Sequence, residues 1–401
     1  MKKILSFSLF LIAGLIFSQI LPSAMGENFH SFKEVTNIFL YISLSFIMIN
    51  VGREFELDKV NWRSYVQDYF IAMATAALPW IFVAMYFVFV LLPVEYSTTW
   101  GAWKESLLLS RFAAPTSAGI LFTMLAAIGL KSSWIYKKIQ VLAIFDDLDT
   151  ILLMIPLQII MIGMKWQMAA VLFVVFFLLY YGWKRMGTYK LRQDWIAILF
   201  YSAVVVGITW GLHFITVSFL GKDEGIHIEV LLPAFVLGMI MGHINTDSKT
   251  ERIVTNGISI FFMFLVGMSM PLFIGTHTMS DDVLAGASLL GQQPMLSADR
   301  IIFHVIIVSI LSNIGKLVPM FFYRDRYIEE RLALSIGMFT RGEVGAGIIF
   351  IALSYNIGGP ALVISVLSIV LNLILTGIFV VWVKKLSIRA ALKRERAELS
   401  E

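Results

Sequence analysis

Two adjacent carboxylates, Asp146 and Asp147, lie inside the apolar run from about Val141 to Met164, and a third, Asp149, follows in the same stretch. Ionised carboxylates cost about 2.5–3.5 kcal/mol each at a bilayer centre. Three together weaken a spanning helix unless they bind something, and the usual occupants of such a site are protons and small cations. A small alkali or alkaline-earth cation is a hard ion that takes oxygen ligands, which carboxylates, hydroxyls and backbone carbonyls supply. Neighbouring carboxylates repel when both ionise, so protons and a cation compete for the same oxygens. Competition at one site, opened alternately to each side of a membrane, suffices for exchange. Three basic residues share the apolar depth: Arg111, Lys316 and Arg341. Lys316 follows Gly315 too far inside its run for easy snorkelling, which favours a buried partner.

The elements that must position these groups are membrane helices. The 401 residues are 59% hydrophobic and 14% charged, with a mean hydropathy of +0.83, which excludes an ordinary soluble domain. Apolar runs of helix-spanning length recur, without the short alternating strands of a membrane barrel. Twelve spans are predicted, near 4–22, 34–51, 67–92, 105–129, 138–163, 167–183, 195–218, 228–243, 253–275, 300–323, 332–354 and 360–383. With the N-terminus inside, the cytoplasmic segments carry 23 of the 31 basic residues and the outside segments 5. By the positive-inside rule both termini are cytoplasmic. The first span is read as an uncleaved helix: Lys2-Lys3 precedes an apolar run too long for a signal peptide, with a poor cleavage site after it. The expected fold class is therefore an all-α polytopic membrane protein. It is one transporter domain over residues 1–401, with an outside loop near 276–299 and a short basic tail, 384–401, helical at the membrane surface. Without cysteine there is no disulfide or thiolate metal site. The histidines form no ligand cluster.

The segment Phe46–Leu57 matches Phe261–Leu272 at five of twelve positions, and the predicted topology runs the two in opposite directions. Gly119-Ile120-Leu121-Phe122 recurs as Gly347-Ile348-Ile349-Phe350, followed by Ile128-Gly129 and Ile357-Gly358. The order suggests inverted repeats over 34–163 and 253–383, as in secondary transporters whose sites lie between broken helices. Pro115, followed by Thr116 and Ser117, interrupts one span; Pro removes a helix donor and Thr or Ser can satisfy the freed groups. Four glycines between Gly337 and Gly347, beside Arg341 and Glu343, weaken another. A plain kink at Pro115 and close helix packing at the glycines are the competing readings. Irregularity at corresponding places of both repeats favours unwinding.

Taken in order, Thr116-Ser117-Ala118-Gly119-Ile120, Ala143-Ile144-Phe145-Asp146-Asp147, Gly315-Lys316 and Arg341-Gly342-Glu343-Val344 resemble the signatures of bacterial sodium/proton antiporters of the monovalent cation/proton antiporter superfamily. The paired Asp is similar to that of its electrogenic branch, and the resemblance extends from about Phe46 to Val383. It implies two crossed discontinuous helices, a multi-pass protein of the cytoplasmic (inner) membrane, a role in pH homeostasis, and a homodimer in the lipid bilayer. It implies Na+, or Li+, and H+ as cargo, with neither cofactor, nucleic acid nor organic substrate. By resemblance Asp147 carries cation or proton, Asp146 is its partner, and Lys316 pairs with Asp146. Thr116 offers oxygen to the ion where the unwound helices cross, and Arg341 and Glu343 stabilise the second unwound segment.

Asp149 departs from that pattern. It lies three residues beyond Asp146 on the same helical face, and three roles stay open: a second proton carrier, an influence on ion choice, or pairing with a base such as Arg341. Arg341 and Glu343 are expected to pair with each other or with Glu54. Arg111 is expected to snorkel toward the outer surface rather than line a vestibule. Two rivals share these features: a K+/H+ exchanger of the same fold, and a non-transporting sensor or subunit retaining the ion site. An enzyme is not expected, because protease and serine-type signatures are missing.

Overall fold

The computed structural model describes residues 2–26, 29–53, 62–117, 121, 125, 130, 133–162, 166–185, 187–189, 191–220, 230–242, 249–269 and 288–398. Among these the regular elements are helices: α1 Lys2–Met25, α2 Phe29–Arg53, α3 Trp62–Tyr86, α4 Trp100–Ser110, α5 Trp134–Ile162, α6 Trp166–Lys184, α7 Trp195–Leu220, α8 Leu231–Met241, α9 Lys249–Met268, α10 Ala298–Gly315, α11 Ile328–Gly337, α12 Glu343–Ser354 and α13 Gly359–Glu398. Six of them (α2, α3, α7, α9, α10 and α13) are long and apolar enough to cross a membrane by length and composition. Large apolar side chains face outward, Phe173 of α6 and Phe214 of α7 each 72% exposed, a surface suited to lipid rather than water. The fourth and eleventh predicted spans are interrupted, as the unwinding expected there requires, whereas the tenth, expected to run on to 323, stops as an α-helix at Gly315 before a 3-10 turn over Val318–Phe321. The tail is helical as expected, but it continues α13 without a break. Arg394 pairs with Glu330 at 2.7 Å and Lys393 with Glu329, tying the end of α13 to the start of α11. Of the expected repeats and loops, residues 54–57, Gly119, Phe122, Ile128, Gly129, 270–272 and 276–287 lie outside the described residues.

The chain forms two compact units. One comprises Ala13–Val60 and Ile151–Ser269. Its centre is α2, packed on α7, α8 and α9. Glycine lets α2 and α8 touch backbone to backbone: a Cβ on Gly238 would lie 2.0 Å from the Ile49 carbonyl oxygen, and one on Gly52 would lie 2.1 Å from that of Phe235. Small residues at crossings are how membrane helices gain van der Waals contact without a hydrophobic drive. Gly238→Ala should therefore force the helices apart and cost about 1–3 kcal/mol, the range for overpacking. The expected result is a lower melting temperature in detergent; an unchanged one would refute the crossing.

The other unit comprises Met1–Ile12, Asn61–Thr150 and Met270–Glu401. Here α3 packs on α4 and α10, and α13 packs on α10 and α11. A polar ladder joins α10 to α13: Ser309 to Ser368 at 2.7 Å and Asn313 to Asn372 at 2.9 Å. Glu105 of α4 accepts the backbone N–H groups of Leu289 and Leu290, at 3.1 and 3.0 Å, fixing the segment that leads into α10. Asp68 of α3 accepts from Lys138 of α5 at 2.8 Å and from the Tyr323 hydroxyl at 2.6 Å. Burial and that carboxylate hold the Tyr323 phenol well above its ordinary titration range. All the charged residues singled out at membrane depth belong to this unit.

Candidate functional site

Helix α4 begins behind Thr99, whose hydroxyl accepts the Ala102 N–H as an N-cap. It tightens into a 3-10 turn at Arg111–Ala113 and then unwinds through Pro115, Thr116 and Ser117. The second interruption, 338–342, separates α11 from α12. The two non-helical stretches bond to each other: the Ser117 N–H donates to the Thr340 carbonyl at 3.1 Å, and the Thr116 hydroxyl lies 3.2 Å from the Met338 carbonyl. Backbone groups that lost helical partners thus find partners at the crossing, as buried polar groups must. The crossing of two interrupted helices, expected from resemblance, is therefore present.

Helix α10 delivers the lysine. A Cβ on Gly315 would lie 2.4 Å from the Pro79 nitrogen of α3, so only glycine permits this approach. The helix ends there, and Lys316 is the residue that caps it. Lys316 Nζ lies 2.6 Å from Asp146 Oδ2 and 3.1 Å from Thr116 Oγ1. The Thr116 hydroxyl in turn donates to the same Asp146 oxygen at 2.7 Å. Having one proton, Thr116 cannot donate fully to both Asp146 and Met338, and the shorter contact is to the charged acceptor. Asp146, Thr116 and Lys316 are each 0% exposed. Asp146 Oδ1 is buried without a hydrogen-bond partner among the described residues, an oxygen able to take a proton or a cation. Asp147, 1% exposed, is the next residue of α5.

Asp149 and Arg111 differ from expectation. Arg111 neither snorkels nor lines a vestibule: it is 0% exposed. Its Nη2 reaches Asp149 Oδ2 at 3.3 Å and the Asp149 backbone oxygen at 2.9 Å. The partner of Asp149 is thus Arg111, 38 residues earlier, and not Arg341. The guanidinium also lies 4.6 Å from the centre of the Trp80 ring, a cation–π distance. Arg341 is hydrogen-bonded to carbonyls, those of Met338 at 3.1 Å, Thr340 at 3.4 Å and Ser312 at 3.3 Å. It thereby serves orphan acceptors at the ends of α11 and α10, where a cation complements the helix dipole. The Glu343 side chain and Glu54 lie outside the described residues. Among the described residues, Asp146, Asp147 and Asp149 and the bases Arg111, Lys316 and Arg341 are buried around the crossing, while Asp68, Glu105 and Glu330 are buried elsewhere in the same unit. Sequence reading missed the Arg111 contact, although a charged residue inside a predicted span is itself a signal that it has a partner inside.

The sequence pattern of the family described as sodium/hydrogen exchanger, transmembrane, matches residues 2–386. The chain belongs to the sodium/hydrogen exchanger family. Among solved structures, the fold is similar to that of the sodium proton antiporter MjNhaP1 from Methanocaldococcus jannaschii at pH 8. That likeness has a TM-score of 0.59 at 13% identity, over 96% of this chain and 92% of that one. No curated protein matches the sequence at a significant level. Membership in the sodium/hydrogen exchanger family makes this a multi-pass membrane protein of the monovalent cation/proton antiporter superfamily, a superfamily of transporters rather than enzymes. Its activity class is cation/proton antiport.

Proposed function

We propose that this protein exchanges Na+, and also Li+, for protons by alternating access, moving net charge in each cycle. The observation that supports this most directly is the sharing of Asp146 Oδ2 by Lys316 and Thr116, fully buried beside Asp147 where the two interrupted helices cross. Asp147 is the carboxylate that takes cation or proton, Asp146 its partner, and Thr116 an oxygen ligand of the transported ion, with Ser117 bracing the crossing. Hard oxygen donors of this kind suit an alkali cation, and unwound segments place carbonyls and helix ends around it. A cation that draws Asp146 toward itself takes away the anion that holds the Lys316 ammonium. Lys316 can then release its proton, and a second leaves with the ionising carboxylate, so two protons move against one cation. The acids titrate as a coupled set, so neither proton belongs to one residue alone. Arg341 and Glu343 keep the second unwound segment open. Residues 34–163 and 253–383 are the inverted repeats, and the working form is a homodimer in the cytoplasmic membrane, with 384–401 as its cytoplasmic tail.

The test is flux in proteoliposomes of the purified protein alone. An imposed Na+ gradient should drive proton movement and a membrane current, with Li+ also effective and K+ not. Proton movement driven by K+ alone would give the ion assignment to the potassium exchanger instead. No flux with any cation would favour a non-transporting role.

A further inference from the structure

We propose that a cavity at the cytoplasmic end of α3, α5 and α10 is a site for the phosphate headgroup of an anionic phospholipid, seated on Arg324. The cavity measures about 560 Å3, and its wall includes Asp68 of α3, Trp134 and Lys138 of α5, and the segment 321–325 between α10 and α11. These residues belong to one compact unit, and the topology proposed above puts them at the cytoplasmic face. The ion-site residues Asp146, Asp147, Thr116 and Lys316 are not in its wall.

Charge decides what the cavity takes. Its acids are already engaged: Asp68 accepts from Lys138 at 2.8 Å and from the Tyr323 hydroxyl at 2.6 Å, and Asp325 pairs with Arg326 at 3.2 Å. Its aromatic faces are engaged too. Lys138 Nζ lies 5.1 Å from the centre of the Tyr323 ring, and the Arg326 guanidinium 4.9 Å from that of Trp134. A cationic ligand would find both its carboxylate and its π partners taken by the protein's own bases. Arg324, by contrast, is exposed and has neither hydrogen bond nor ion pair among the described residues. Its guanidinium offers donors in a planar fork that matches a phosphate. Tyr323, beside it, holds a left-handed backbone at φ 52°, uncommon for a bulky residue. The Asp68 bond and an edge contact with the Trp134 ring at 5.6 Å keep it there, and strain of this kind clusters at ligand sites.

The phosphate is a lipid's because an apolar track leads to it. Ile302, Ile306, Ile310 and Ile314 recur every four residues along one face of α10, each at least 45% exposed. The chain then delivers the exposed Phe321 and Phe322 to the wall of the cavity. An acyl chain lying on that surface brings its headgroup to Arg324, and basic pockets between membrane helices on the cytoplasmic side take anionic lipid headgroups. The segment 321–325 links the end of α10, which carries Lys316, to α11, so a headgroup bound there braces that link against α3 and α5.

Thermal melting of the purified full-length protein in detergent, titrated with phosphatidylglycerol, phosphatidylcholine or inorganic phosphate, tests this. Phosphatidylglycerol should raise the melting temperature saturably, and the other two should not. Arg324→Ala should raise the phosphatidylglycerol concentration at half effect about five-fold, the weight of one basic side chain at an anionic headgroup. Lys385→Ala, at an exposed base of the same face, should leave it unchanged. No rise with phosphatidylglycerol, an equal rise with phosphatidylcholine, or equal losses in the two variants overturns the inference. A rise with inorganic phosphate that matches the one with phosphatidylglycerol overturns the lipid assignment. If Arg324→Ala does not fold, crosslinking of the unmodified protein by phosphatidylglycerol with a photoactivatable acyl chain decides. Label in the peptide that contains Phe321 and Phe322 supports the site, and its absence there overturns it.

Discussion

Asp147→Asn should reduce cation-driven proton flux to the level of empty vesicles while the protein still folds. Asparagine keeps the size and one oxygen of aspartate but carries neither the charge that balances a cation nor a site for the exchanged proton. Asp147 is 1% exposed and directly follows Asp146, which already holds Lys316 and Thr116. The substitution removes a negative charge beside another negative charge. Relief of that repulsion is worth about 1–3 kcal/mol at an effective dielectric near 20, so the melting temperature should hold or rise. Flux assays and thermal melting on one preparation separate the outcomes. Full exchange by the variant would remove Asp147 from the mechanism. Lost exchange together with lost folding would make the residue structural.

Lys316→Ala should have the largest effect on stability. Lys316 and Asp146 are each 0% exposed and 2.6 Å apart. Removing one member of a buried pair strands the other, at about 3–5 kcal/mol. The alanine also vacates volume at the end of α10, where Gly315 is fitted against Pro79. The expected result is a large drop in melting temperature. If Lys316 supplies one of the exchanged protons, the surviving protein should also exchange without net current. Unchanged stability together with unchanged current would refute the pairing.

These two residues were legible in the sequence because a charge in a long apolar run has few bland explanations. Hydrocarbon charges each such group a large solvation penalty whatever surrounds it, so Asp146, Asp147 and Lys316 stand out one at a time. The interruptions were legible for a similar reason: Pro115 removes a donor wherever it falls, and the glycines at 337, 342, 345 and 347 lower helix propensity locally. The break at Gly315 was not. Hydropathy reads 300–323 as one continuous span, because nothing in that run reveals that position 315 must lie against Pro79.

Arg111 shows the same limit. On sequence alone its place near the end of a span favours snorkelling, and Asp149 had several bases to choose from. The fold brings Asp149 within 3.3 Å of Arg111 and sets Trp80 over the guanidinium, while Arg341 is committed to carbonyls of Met338, Thr340 and Ser312.

The amino-acid sequence by itself determined that this is a helical membrane protein with ionisable groups at depth, two interrupted helices and the chemistry of cation and proton exchange. Only the tertiary structure decided which base meets which acid, where α10 stops, and which carbonyls the spare arginine serves. The cost of burying a charge belongs to one residue and its local run, so composition and spacing reveal it. The energy of a pair depends on a distance of a few ångströms between residues far apart in the chain, and that distance exists only once the helices have packed.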